Sequence, residues 1–132
     1  MFANIKIFNL ACSDSNDSLY TTNKLDNSNK VGREKLANVT GVKATTLDSF
    51  VLKYNVQPKF INIWNNGYEF ESLIGMTKTI QQFRPIIHIN ISNSIDKLFD
   101  IFDFLIFHDY SIDIKRAAIS NNKEFFVLCE PR

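Results

Sequence analysis

Between Thr46 and Leu128 the apolar residues switch back and forth between strand-like and helical spacing, and this alternation narrows the possible folds most. Phe60-Ile61-Asn62-Ile63-Trp64 and Ile86-Ile87-His88-Ile89-Asn90-Ile91 are short β-prone runs. Helical spacing lies between and around them. Leu47, Phe50, Val51 and Tyr54 share one face, with Thr46 as N-cap and Asp48 favouring the helix start. Phe70, Leu73, Ile74, Thr77 and Ile80 predict one further helix, ended by Arg84-Pro85. Ile95, Leu98, Phe99, Phe102, Leu105 and Ile106 predict a third, which Ser92-Asn93-Ser94 can cap and Asp109-Tyr110 breaks. Asn65-Asn66-Gly67 is the sharpest turn signal. Residues 111–114 and 124–128 read as a closing hairpin joined through Asn121-Asn122.

This order predicts an α/β fold: a mainly parallel sheet with helices on its faces, right-handed crossovers and a C-terminal antiparallel hairpin. The Ile-dominated run 86–91 suits a sheet covered on both faces. Nearer the N-terminus, Ile5 to Ala11 reads as a strand and Cys12 to Ser18 as a turn cluster. Leu19 to Thr22 and Val42 to Thr45 are short β-prone pieces, and the polar residues 23–38 read as a mobile loop. With 132 residues and 45% hydrophobic content the chain can bury one modest core. The expected organisation is a single domain: 1–45 a strand plus mobile polar loop, 46–132 the α/β core.

Fifteen basic against 14 acidic residues leave a net charge of +1, and the longest basic pair is Lys115-Arg116. A charge-driven nucleic-acid partner is not expected. The apolar stretches 85–91 and 98–107 are too short to span a bilayer, and no signal-peptide pattern opens the chain, so a cytoplasmic protein without a membrane partner is expected. The two cysteines, Cys12 and Cys129, lie far apart and fit reduced buried thiols better than a metal site. His108-Asp109 has no Ser or Cys nucleophile in a recognisable elbow beside it, and no catalytic residue is assigned. His108 itself ends a helix, where the dipole favours a cation.

Several blocks together resemble the FkbM family of S-adenosylmethionine-dependent methyltransferases. The family reads roughly T-L-D-x-F, then F-I-K-I-D-V-E-G-x-E-x-x-V-L-x-G, then x-F-x-P-x-I-x-x-E. Here Thr46 to Phe50 read T-L-D-S-F, Phe60 to Gly75 read F-I-N-I-W-N-N-G-Y-E-F-E-S-L-I-G, and Phe83 to Asn90 read F-R-P-I-I-H-I-N. Asn9 to Asp14 resemble the end of the family's third strand, and Phe125 to Leu128 its last. The resemblance implies a partial Rossmann-like methyltransferase fold with the cofactor at the carboxyl ends of the parallel strands. If the chain is active, it implies O-methyl transfer to a sugar or small-metabolite hydroxyl.

Carried over residue by residue, Asp14 matches the acid after the third strand and is the one cofactor-binding candidate; a plain polar turn explains Ser13-Asp14 as well. Trp64, Asn66 and Asn90 stand where the family has carboxylates, and Asn62 where it has Lys. An indole and two amides accept no proton at neutral pH. Trp64, Asn66, Tyr68 and Asn90 are candidate substrate or partner contacts. Gly67 is expected to permit the strand-to-helix turn, and Glu69 to favour the helix dipole.

No D-x-G-A-N-x-G-like segment occurs, and none of the four glycines forms a GxG. The chain is expected to begin at the family's third strand, as a truncated remnant with little or no activity alone. Strand 60–64 then becomes a sheet edge. Three arrangements of the N-terminal segment follow: loosely attached, paired through Ile5 to Ala11 beside 60–64, or replaced at that edge by a homodimer or complementing chain. One half of a split methyltransferase and a non-enzymatic interaction module are the alternatives.

Overall fold

The structure is a computed structural model that describes residues 4–22, 31–32, 39–116 and 124–132. Two four-stranded sheets organise them. The N-terminal sheet contains β1 (Ala11–Cys12), β2 (Ser18–Thr22), β3 (Val31–Gly32) and β4 (Val39–Thr45) in the order β1-β4-β2-β3. The core sheet contains β5 (Phe60–Ile63), β6 (Ile86–Asn90), β7 (Tyr110–Arg116) and β8 (Phe125–Pro131) in the order β5-β6-β8-β7. The helices are α1 (Leu47–Tyr54), α2 (Glu69–Ile74), α3 (Thr77–Phe83) and α4 (Leu98–Phe107), the last led in by a 3-10 turn at Ile95–Lys97.

The α/β fold and its closing hairpin match the expectation, and the core sheet is mixed: β5–β6 is parallel, β6–β8 and β8–β7 antiparallel. Among the described residues, helices cover one of its faces. Ile63, Ile87, Ile89, Val127 and Cys129 point at Leu73, Met76, Ile80, Ile101 and Leu105 and form one core cluster. The opposite face carries Phe60, 58% exposed, and Ile86, 36% exposed, beside half-buried His88, Phe126 and Leu128. The expectation of cover on both faces is therefore corrected. The Ile run hid an alternation, because successive strand residues face opposite sides.

Helix α1 begins as read: the Thr46 hydroxyl accepts from Ser49 N at 3.1 Å. The second helix does not. It breaks into α2 and α3 at Gly75-Met76. A Cβ on Gly75 would stand 1.9 Å from the Ser13 carbonyl oxygen, so the backbone of the N-terminal segment sits against the break. Asp48 holds the restart. Its carboxylate accepts from Lys78 N at 3.1 Å and Thr79 N at 2.8 Å, while its own N–H donates to Gly75 O at 3.0 Å.

The N-terminal readings need two corrections. Residues 5–10 form no strand; only Ala11–Cys12 does, and it pairs in parallel with β4 instead of with residues 60–64. Instead of being loosely attached, β2 pairs with both β3 and β4. Of the expected mobile loop, Val31–Gly32 is a strand and residues 23–30 and 33–38 lie outside the described residues, as does Asn121-Asn122.

Candidate functional site

The carboxyl ends of β5 and β6 lie side by side, and the loops that leave them are tied by one carboxylate. Glu69 is fully buried at the start of α2. Its Oε1 accepts from Asn65 N at 2.8 Å, its Oε2 from Gly67 N at 2.9 Å, and the Ser94 hydroxyl donates to Oε2. A buried carboxylate with three donors satisfies groups that would be costly to leave unpaired. The turn it holds is tight: Asn66 has φ 51° and Gly67 φ 98°, and a Cβ on Gly67 would come within 3.2 Å of Asn93 O. Gly67 has the turn role expected of it. Glu69 reaches across two loops, well beyond a dipole effect. The signal was in the sequence, because a Glu two residues after a turn glycine can fold back onto the turn's N–H groups.

The candidate residues divide between two sides of this knot. Trp64 is 53% exposed, and its ring and that of Phe126 lie nearly perpendicular with centroids 6.1 Å apart. Phe126 stacks on His88 at 4.9 Å and is the register partner of Asn90. Asn90 is buried, and its Oδ1 accepts from Ser92 N at 2.9 Å. That bond occupies the amide oxygen in shaping the loop. Trp64, Asn66 and Asn90 are thus gathered at the strand ends. Tyr68 turns the other way and packs with Leu19 and Ala44 of the N-terminal sheet, with Lys97 Nζ 5.9 Å from its ring. Asp14 follows β1 on that same side; it is half-buried and accepts from the Ser13 hydroxyl at 3.0 Å. Its Cα lies 3.4 Å from the position of a Cβ on Gly75.

Asn65 and Ser72 join the two sides. Asn65 Nδ2 donates to Cys12 O at 3.4 Å and to the Ser72 hydroxyl, and Ser72 Oγ lies 3.2 Å from Cys12 O. Neither residue stood out in the sequence, since their roles depend on a strand more than 50 positions away.

The chemistry available at the strand ends is limited. Residues 64–68 and 90–94 contain no carboxylate, lysine, arginine or histidine. Burial raises the pKa of Cys12 and pushes Cys129 up to about 12, so both stay thiols at neutral pH. His108 is not the helix-end cation anticipated: burial, then nearby Arg84, lowers its pKa. The helix-end cation is Arg84, whose guanidinium donates to His108 O at 2.5 Å and Asp109 O at 2.8 Å at the end of α4. Among the described residues no group of three His, Cys, Asp or Glu is placed to hold a metal, and no helix is long and apolar enough to cross a membrane.

Three shallow cavities, of about 250, 230 and 280 Å³, surround α1 and include none of Trp64, Asn66, Tyr68 or Asn90. Sites for small-molecule cofactors run from about 300 Å³ upward.

Residues 4–112 match the family model for the methyltransferase FkbM domain. No curated protein matches the sequence. Among solved structures, the chain is similar in fold to methyltransferase FkbM from Methylobacillus flagellatus KT, with a TM-score of 0.65 at 14% identity. The likeness covers 96% of this chain and 28% of that one, so the chain spans little more than a quarter of the length of the structure it matches.

Proposed function

Because the chain belongs to the methyltransferase FkbM domain family, we propose that it forms the strand-end half of an S-adenosylmethionine-dependent methyltransferase domain and has little or no transfer activity by itself. The observation that carries this reading is the chemistry of the loops after β5 and β6. O-methyl transfer to a sugar or small-metabolite hydroxyl requires a group that takes the hydroxyl proton. Residues 64–68 and 90–94 offer an indole, amides, hydroxyls and a phenol, and none is a base at neutral pH. Glu69, the carboxylate that ties the two loops, is buried and occupied by three donors.

What these residues do is structural. Glu69 fixes the two loops, Gly67 lets the first approach the second, and Trp64 caps the Phe126–His88 stack on the open face. They keep a scaffold on which substrate and cofactor groups supplied from elsewhere would be positioned. Calorimetric titration of S-adenosylmethionine into the purified chain tests this. No heat at millimolar cofactor is the expected result. Micromolar binding, or methyl transfer by the chain alone, would overturn it.

A further inference from the structure

Helix α4 carries more apolar surface than the core takes up. Eight of its ten residues are apolar, and it buries Ile101 and Leu105 fully. Leu98, Phe102 and Phe104 pack against the core as partly buried side chains. A second stripe runs outside them. Ile95, in the turn before α4, is followed by Phe99, Phe102 and Ile106 at intervals of four, three and four positions, so the four share one side. Ile95, Phe99 and Ile106 are 66%, 80% and 56% exposed. Single exposed apolar residues are ordinary, whereas a row along a whole helix marks a place of contact.

An acidic row lies beside this stripe. Asp96, Asp100 and Asp103 follow at intervals of four and three, and all three are exposed. Among the described residues none of them forms an ion pair, and residues 98–107 contain no lysine or arginine. Lys97, the cation next to Asp96 in sequence, is paired with Glu71 of α2 instead.

These features select the occupant. The main chain of α4 bonds to itself, so its side offers a partner no backbone donors or acceptors. An extended segment laid on the stripe would bury its own N–H and C=O groups unpaired, at a cost of kilocalories each. A helix satisfies its main chain internally and brings only side chains. The acidic row then sets the charge of that helix: cations at its flank gain from the three carboxylates, and anions lose. A second copy of α4 brings another acidic row and no cation. An anionic lipid surface is repelled by the same row.

We propose that the outer side of α4 is a docking surface for an amphipathic helix of a separate protein. The apolar stripe of that helix seats on Ile95, Phe99 and Ile106, and a flanking row of lysine or arginine faces Asp96, Asp100 and Asp103. The inference goes beyond the methyltransferase reading, because this surface lies on the side of α4 turned away from the core sheet.

The test uses NMR amide shifts of the full chain during titration with a blocked three-heptad helical peptide, long enough to cover the roughly 15 Å of α4. The peptide carries leucine at its apolar positions and lysine on both flanks, and a matched peptide has glutamate for lysine. The lysine peptide should bind, shift residues 95–107 first, and weaken as salt is raised. The glutamate peptide should leave them unmoved. Phe99→Ser changes an exposed side chain and should weaken the lysine peptide about tenfold. The double variant Asp100→Lys with Asp103→Lys should reverse the preference and capture the glutamate peptide. No shift at 95–107 at millimolar lysine peptide would overturn the proposal, as would equal binding of the two peptides. So would shifts there that grow with protein concentration alone, the sign of a second copy, or that follow addition of phosphatidylglycerol vesicles without peptide. No cofactor enters the experiment, so its outcome is independent of the cofactor titration.

Discussion

The two sheets are held together by different physics. The core sheet closes over twelve buried residues drawn from its four strands, three helices and their junctions. The N-terminal sheet has Leu19 and Ala44 of its own among the described residues, and its third buried member, Tyr68, comes from the core side of the chain. What fixes the smaller sheet is a set of polar and close contacts: Asn65 and Ser72 on Cys12 O, and Ser13 against Gly75. Apolar burial is non-directional and tolerates adjustment, whereas hydrogen bonds and a backbone-to-backbone approach depend on placement. The smaller sheet should therefore detach before the core unfolds, and single substitutions should separate the two events.

Leu105→Ala should have the largest effect. Leu105 is fully buried in the core cluster, and its truncation should cost about 2–5 kcal/mol. Chemical denaturation should show the loss, and hydrogen exchange should rise in both sheets together. Gly75→Ala comes next, at about 3 kcal/mol, because the new Cβ meets backbone that cannot rotate away. Its exchange increase should appear in β2 and β4 while β6 and β8 stay protected; a uniform increase would break the comparison. Glu69→Gln should cost about 2 kcal/mol by weakening acceptors for three donors, with the change confined to residues 64–68 and 92–97.

Tyr110→Phe should cost about 1 kcal/mol, since the phenol is buried and donates to Pro85 O at 2.8 Å. The smallest effect is in pH. His108 has its folded pKa below the ordinary 6.5. Its contribution is thus present above that value and is lost as pH falls through the folded pKa, because the unfolded chain takes up the proton first. Thermal melts at neutral pH and near pH 5 should differ less in His108→Gln than in the parent.

How legible each part was follows from how far away its causes lie. Helix α1 could be read because its cap, Thr46, and its apolar face are local. The closing hairpin could be read because β7 and β8 are neighbours in sequence. The break at Gly75 could not. Phe70 to Ile80 keep helical spacing across it, and its cause is Ser13, some 60 residues earlier. Asp48 looked like an acid at its own helix start, yet its carboxylate caps α3. Tyr68 sat among the strand-end candidates, but the N-terminal sheet draws it away from Trp64 and Asn90. At the candidate site the residue types were informative and their directions were not.

The Glu69 knot also has a mechanical meaning. Asn65 and Gly67 on one loop and Ser94 on the other share the same two oxygens, and Ser94 immediately precedes the turn that starts α4. The two loops are therefore one lever. The backbone of the residue that follows Trp64 and the hydroxyl that precedes the first turn of α4 thus meet on one carboxylate.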